Sequence, residues 1–210
     1  SVNSLSIKNG IITELGDSQN IKKGPKTKTI DANKAFVMPG FIEGHGHFAG
    51  IGESIQNINL LNTSNWDEIV SKLETKIKVT KGGEWIEGRG WHQEKWNEVP
   101  EENYHGYPTH KMLSKISQEN PLIMYHASGH SLFANEKAMK LAGVSRETAD
   151  PIGGAIIRDE NGDAIGVFEE RAMYIIYNAY QEYLDKLPAE DVSKKWYEAV
   201  QLAEKELEKS

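Results

Sequence analysis

Apolar and polar positions alternate at the start of the chain, with Leu5 and Ile7 before Asn9-Gly10 and Ile11, Ile12 and Leu15 after it. Alternation around an Asn-Gly pair predicts a β-hairpin closed by a type I′ turn. A polar stretch follows, and Thr29 to Asp31 and Ala35 to Met38 read as two further strands ending at Pro39-Gly40. Beyond residue 40 the period changes. Trp66, Ile69, Val70, Leu73 and Ile77 recur at helical spacing behind a Ser64/Asp67 pair that has the form of a capping box. Residues 85–91 (WIEGRGW) read as a strand, Thr109 to Ser117 as a helix, and residues 121–126 (PLIMYH) as a short buried strand of the parallel type. Asn135 caps a helix that stops at Gly143. Asn161-Gly162 joins two strand-like runs in a second hairpin. Glu169 to Lys186 and Ala189 to Lys209 are helical by pattern, the latter with Trp196, Val200, Ala203 and Leu207 on one face. Strands alternating with helices place the chain in the α/β class.

A hydrophobic fraction of 38% over 210 residues is enough for a genuine core. With 24 Lys and Arg against 31 Asp and Glu, the net charge of -7 opposes binding to nucleic acid and to anionic lipid. No apolar run is long enough for a membrane span. The chain begins without Met and inside a strand-like pattern, so the expectation is that residues upstream are missing. A cytoplasmic location is expected, or a periplasmic or secreted one if a signal peptide was removed. The absence of cysteine removes disulfides, thiolate ligands and cysteine nucleophiles, leaving His, Asp, Glu and Lys-derived groups for any metal. Neither a dinucleotide fingerprint, nor a P-loop, nor a nucleophile elbow is present.

In residues 37–48 (VMPGFIEGHGHF) a β-rich run leads into His45-Gly46-His47. Residues two apart on a strand share a face, so both imidazoles would converge on one point, with Gly44 and Gly46 leaving room for a cation. By themselves two such histidines also fit an incidental pair in a glycine-rich loop.

The segment resembles the first barrel strand of the amidohydrolase superfamily, whose usual pattern is PGFID-x-H-x-H. His45 and His47 match the two histidines, and Glu43 stands where many members have Asp. Three further blocks, WIEGRGWHQEKW, HASGHSLFANEKAMKLAGV and DPIGGAIIRDENGDAIGVFEERA, resemble the branch of amidohydrolase family 3 that includes N-substituted formamide deformylases. His92 departs from that branch, which usually has Asp after GRGW. The resemblance implies part of a (β/α)8 TIM-type barrel over residues 37–210, with an inserted hairpin around residues 152–168. Residues 1–36 would supply N-terminal strands of a composite β-sandwich domain. It also implies one or two divalent cations, zinc foremost with iron or manganese as alternatives, activating water to hydrolyse a C–N bond of a small molecule. His45 and His47 would be two ligands, the remaining ligands and a catalytic aspartate coming from later strands.

Other residues of these blocks admit two readings each. His130 either contacts substrate or organises its loop, and Glu170 either faces the pocket or favours a helix N-terminus. Trp91 and Trp96 bracket His92 and either line a substrate pocket or belong to the core, while Arg89 either meets an anionic substrate group or pairs with Glu87. His126 reads as structural, and His105 and His110 as exposed. A barrel of this type takes about 250 residues, so the chain is expected to need the remainder of its own barrel as a partner and to be nearly inactive alone. An inactive or binding remnant of the fold is the alternative function. The partners expected are thus a small-molecule substrate and the rest of the barrel, with a homodimer as the first candidate for oligomeric state.

Overall fold

The computed structural model describes residues 2–42, 44 and 47–209, which fall into two compact units, residues 1–45 and 46–210. In the first unit β1 (Ser4–Lys8) and β2 (Ile11–Gly16) pair antiparallel. Asn9 and Gly10 both take positive φ, 53° and 78°, as a type I′ turn demands. The two strands expected at 29–31 and 35–38 do not form. A strand exists only where a neighbour takes up its backbone hydrogen bonds, and this stretch has none among the described residues. Ile30 and Phe36 accordingly stand 79% and 87% exposed.

The second unit opens with α1 (Phe48–Gln56), β3 (Ile58–Asn59), α2 (Trp66–Ile77), β4 (Ile86–Trp91), the short ribbon β5 (Asn103–Tyr104) and β6 (Tyr107–Pro108), and α3 (Lys111–Ile116). It continues with β7 (Leu122–His126), β8 (Ser131–Ala134), α4 (Glu136–Leu141), β9 (Gly154–Arg158), β10 (Ala164–Glu170), α5 (Met173–Leu184) and α6 (Ala189–Leu207). The principal sheet has the order β3-β4-β7-β8-β10-β9. β3, β4 and β7 run parallel through the crossover helices α2 and α3, and every later pairing is antiparallel. The fold is therefore mixed α/β, with the hairpin at Asn161-Gly162 built into the sheet.

Two apolar clusters flank the sheet, one with Trp66, Ile69, Leu73, Trp91 and Leu113, the other with Ile123, Leu132, Met139, Phe168 and Ile176. The capping box of α2 sits one residue later than the sequence suggests. Asn65 Oδ1 accepts from Glu68 N at 2.9 Å and Glu68 Oε2 accepts from Ser64 N at 2.8 Å, which lets Trp66 enter the first turn and reach the core. Helix α1 has no counterpart among the elements read from the sequence. Gly52 allows α1 to touch α6, for a Cβ there would fall 1.7 Å from Ala199 O. On α6, Ala199 and Ala203 are the buried residues, while Trp196, Val200 and Leu207 are exposed.

Asn135 is fully buried with every amide valence used. Its Oδ1 accepts from Leu122 N (2.9 Å) and Ala138 N (3.0 Å), and its Nδ2 donates to Ser117 O and Asn120 O (both 3.0 Å).

Replacing Asn135 with Asp keeps the shape but turns an acceptor toward two carbonyls, so urea unfolding should show a loss of about 3 kcal/mol; a loss under about 0.5 kcal/mol would contradict this role. Gly52→Ala should cost about 2 kcal/mol by overpacking α1 against α6. Gly50→Ala is the control, since its Cβ would meet only the His47 Cβ at an ordinary 3.6 Å.

Candidate functional site

His45 lies outside the described residues, and so does Glu43. His47 is not on a strand, which corrects the picture of a strand carrying both imidazoles: it is the N-cap residue of α1, its carbonyl accepting from Ile51 N at 3.2 Å. Helix α1 is held by its contact with α6. Among the described residues no three His, Asp or Glu side chains are arranged to hold a metal ion, so these residues by themselves do not make a metal site.

Polar side chains gather at the C-terminal end of β7. After β7 the chain reverses through residues 127–130 and re-enters the sheet as β8. Ala127 N donates to Trp91 O (3.0 Å) and Gly129 N to His126 O (3.0 Å), with Gly129 at φ 79°. Ser128 N donates to His126 Nδ1 (3.2 Å), the Ser128 hydroxyl lies 2.8 Å from the same nitrogen, and His130 N donates to Ser128 Oγ (3.1 Å). This ladder presents His130 to Glu170. Their side chains meet at 3.1 Å, Nδ1 to Oε1, and Glu170 N donates to His130 O at 2.8 Å. Glu170 adopts φ 50°, an unfavourable region for a residue with a Cβ, at the end of β10 and ahead of the first turn of α5. An imidazole beside a carboxylate, both open to solvent, can hold or pass a proton.

Arg89 stands near this pair, because a Cβ on Gly129 would lie 3.7 Å from its Nη2. The alternative Glu87–Arg89 pairing is absent. Glu87 accepts instead from the Tyr180 hydroxyl at 3.0 Å, and burial pushes its carboxyl above the usual range against the opposing effects of Tyr180 and Lys195. Glu169, one residue before Glu170, accepts from the Tyr107 hydroxyl at 2.8 Å, and burial together with this carboxylate raises the phenol to about 12.

The aromatic residues around His92 lie in the core. Trp91 is fully buried and donates its indole N–H to Met124 O at 2.9 Å; Trp96 packs on Trp66 and Trp91. His92 lies on His126 with ring centroids 4.5 Å apart, and His92 Nδ1 and His126 Nε2 are both buried without a hydrogen-bond partner among the described residues. Burial, with help from His92, lowers His126 to about 4. His105 is exposed as expected, but His110 is half-buried: its N–H donates to Ile165 O at 2.7 Å, its Nδ1 lies 2.9 Å from Ser114 Oγ, and burial lowers its pKa. Ser128, not among the residues singled out from the sequence, is marked there only by its place inside the HASGH block.

A histidine depressed to about 4 from 6.5 stabilises the fold above pH 6.5 and loses that stabilisation as pH falls toward 4. The chain should therefore be about 2 kcal/mol less stable at pH 5 than at pH 7.5 on account of His126. His126→Gln should flatten that part of the urea-midpoint profile, and an unchanged slope in the variant would reject this source.

The amidohydrolase family profile matches residues 28–206. The Arabidopsis thaliana protein LONG AFTER FAR-RED 3 is 31% identical over 176 residues, 82% of this chain and 29% of its own length. The N-substituted formamide deformylase of Arthrobacter pascens is 25% identical over 185 residues, 86% of this chain and 33% of its own. The crystal structure of an uncharacterized metal-dependent hydrolase from Pyrococcus furiosus superposes with a TM-score of 0.58 at 24% identity, covering 98% of this chain and 38% of that one. The chain thus spans about a third of the length of these relatives. With the family profile extending across most of both the HxH segment and the mixed sheet, the chain belongs to the amidohydrolase family.

Proposed function

We propose that this chain is part of a hydrolase that cleaves a C–N bond, amide or formamide-like, in a small molecule. The observation that carries the reading is the family match over residues 28–206, supported by the His130–Glu170 pair at the end of the sheet where parallel strands terminate. The relative named as an N-substituted formamide deformylase suggests the bond class. In this reading β3-α2-β4-α3-β7 is a sector of a (β/α)8 barrel that residues beyond this chain complete, and the first hairpin belongs to a composite β-sandwich.

A divalent cation, zinc foremost, would supply an activated water when bound, with His45 and His47 as two of its ligands and others from beyond this chain. The contribution of the chain's own residues is distinct. Glu170 keeps the His130 imidazole oriented, which positions the ring to pass a proton to a departing amine. The ladder through Ser128 and His126 keeps His130 in place.

Elemental analysis of the longest form that expresses should find zinc, iron or manganese at about one or two equivalents. The metal should be lost in a His45→Ala/His47→Ala double variant, and N-formyl and N-acyl compounds should be turned over by the parent alone. A metal-free parent that stays inactive after reconstitution would instead identify the chain as a binding remnant of the fold.

A further inference from the structure

Three parallel strands bring Asn59 of β3, Arg89 of β4 and Tyr125 of β7 into one row, as Cα partners across the sheet. In-register residues on neighbouring strands project from the same face about 4.8 Å apart. The row is the last that all three strands share, since β3 ends at Asn59 and the β4–β7 register shifts after Arg89.

Each member offers a donor that the fold leaves unused. Asn59 Oδ1 accepts from Leu61 N at 3.0 Å, which fixes the amide and commits its oxygen, so the NH2 is the remaining group. The Arg89 guanidinium makes no hydrogen bond or ion pair among the described residues: Glu87 is engaged by Tyr180, and Glu170 by His130. The Tyr125 hydroxyl also lacks a hydrogen-bond partner among the described residues, and burial and Glu87 keep it protonated. One cation flanked by two neutral donors balances one negative charge. The planar guanidinium fork matches a carboxylate, and a doubly charged phosphate would leave an excess beside Glu170. Gly129, against Arg89 Nη2, adjoins His130, so a group bound to the row lies next to the His130–Glu170 pair.

We propose that Asn59, Arg89 and Tyr125 form an anchor for a carboxylate, so that the substrate is an amide carrying a carboxylate rather than a neutral amide. The inference rests on the hydrolase reading for the word substrate, but the anchor itself is a binding site that needs no turnover.

The test is the binding of succinamate and of its neutral counterpart succinamide to the 210-residue chain, followed by heteronuclear NMR. Succinamate should bind roughly tenfold more tightly than succinamide. Arg89→Gln should erase the preference, Arg89→Lys should retain part of it, and Tyr125→Phe should weaken succinamate a few-fold. Equal affinities, no detectable binding of succinamate, or a preference that survives Arg89→Gln would overturn the anchor. A metal-loaded longer form that holds succinamate through Arg89 yet cleaves no amide would sink the hydrolase reading and leave the anchor standing. Cleavage of both compounds at equal rates would do the reverse.

Discussion

Asn135 ties together three pieces of chain. Through one side-chain amide the end of α3, the start of β7 and the first turn of α4 are held within hydrogen-bond distance of a single point. The same junction is braced by Ser117 Oγ donating to Asn120 O at 2.7 Å and by Asn120 Nδ2 donating to Lys81 O and Glu84 O at 2.7 and 2.8 Å. Buried carbonyls left without donors would each cost on the order of 1–3 kcal/mol. The position of β7 against β4, and with it everything at the far ends of these strands, depends on this satisfied network.

The sheet above that junction divides its labour by face. Side chains at 86 and 91 of β4, and 122 and 124 of β7, join the cluster under α2 and α3. The alternate positions, Glu87, Arg89 and Tyr125, carry the polar groups of the opposite face, where Tyr180 of α5 meets Glu87. The face toward α2 and α3 is thus apolar, while the opposite face combines these polar groups with the second apolar cluster, which Ile123 joins and Tyr125 packs against.

Much of this was legible in the chain itself. Asn9-Gly10 and Asn161-Gly162 mark both hairpins, and PLIMYH reads as buried from its unbroken apolar run, parallel to β4 on one edge and antiparallel to β8 on the other. The misses have a common cause. Helix α1 is covered by α6, far along the chain, and strand β8 lies between its hairpin neighbour β7 and the distant β10; neither SLFA nor a glycine-bearing nonapeptide announces itself locally. The converse error, strands at 29–31 and 35–38, came from apolar composition without a pairing partner. At the site, HASGH marked the right loop, yet the meeting of His130 with Glu170 spans forty residues and emerges only from the antiparallel pairing of β8 with β10. The row of Asn59, Arg89 and Tyr125 depends likewise on register, which no single segment encodes.

The change of strand direction at β7 also bears on how the molecule comes together. β7 with β8 and β9 with β10 are local hairpins, whereas β3, β4 and β7 meet only after helices have been threaded between them. Short loops close faster than long ones, so these two hairpins have the kinetic advantage in folding, whereas the His130–Glu170 contact waits for β8 to meet β10 and the Arg89 row for β4 to meet its neighbours. The juxtaposition of the arginine and the imidazole–carboxylate pair is therefore a late event of assembly, and its presence reports that both halves have joined.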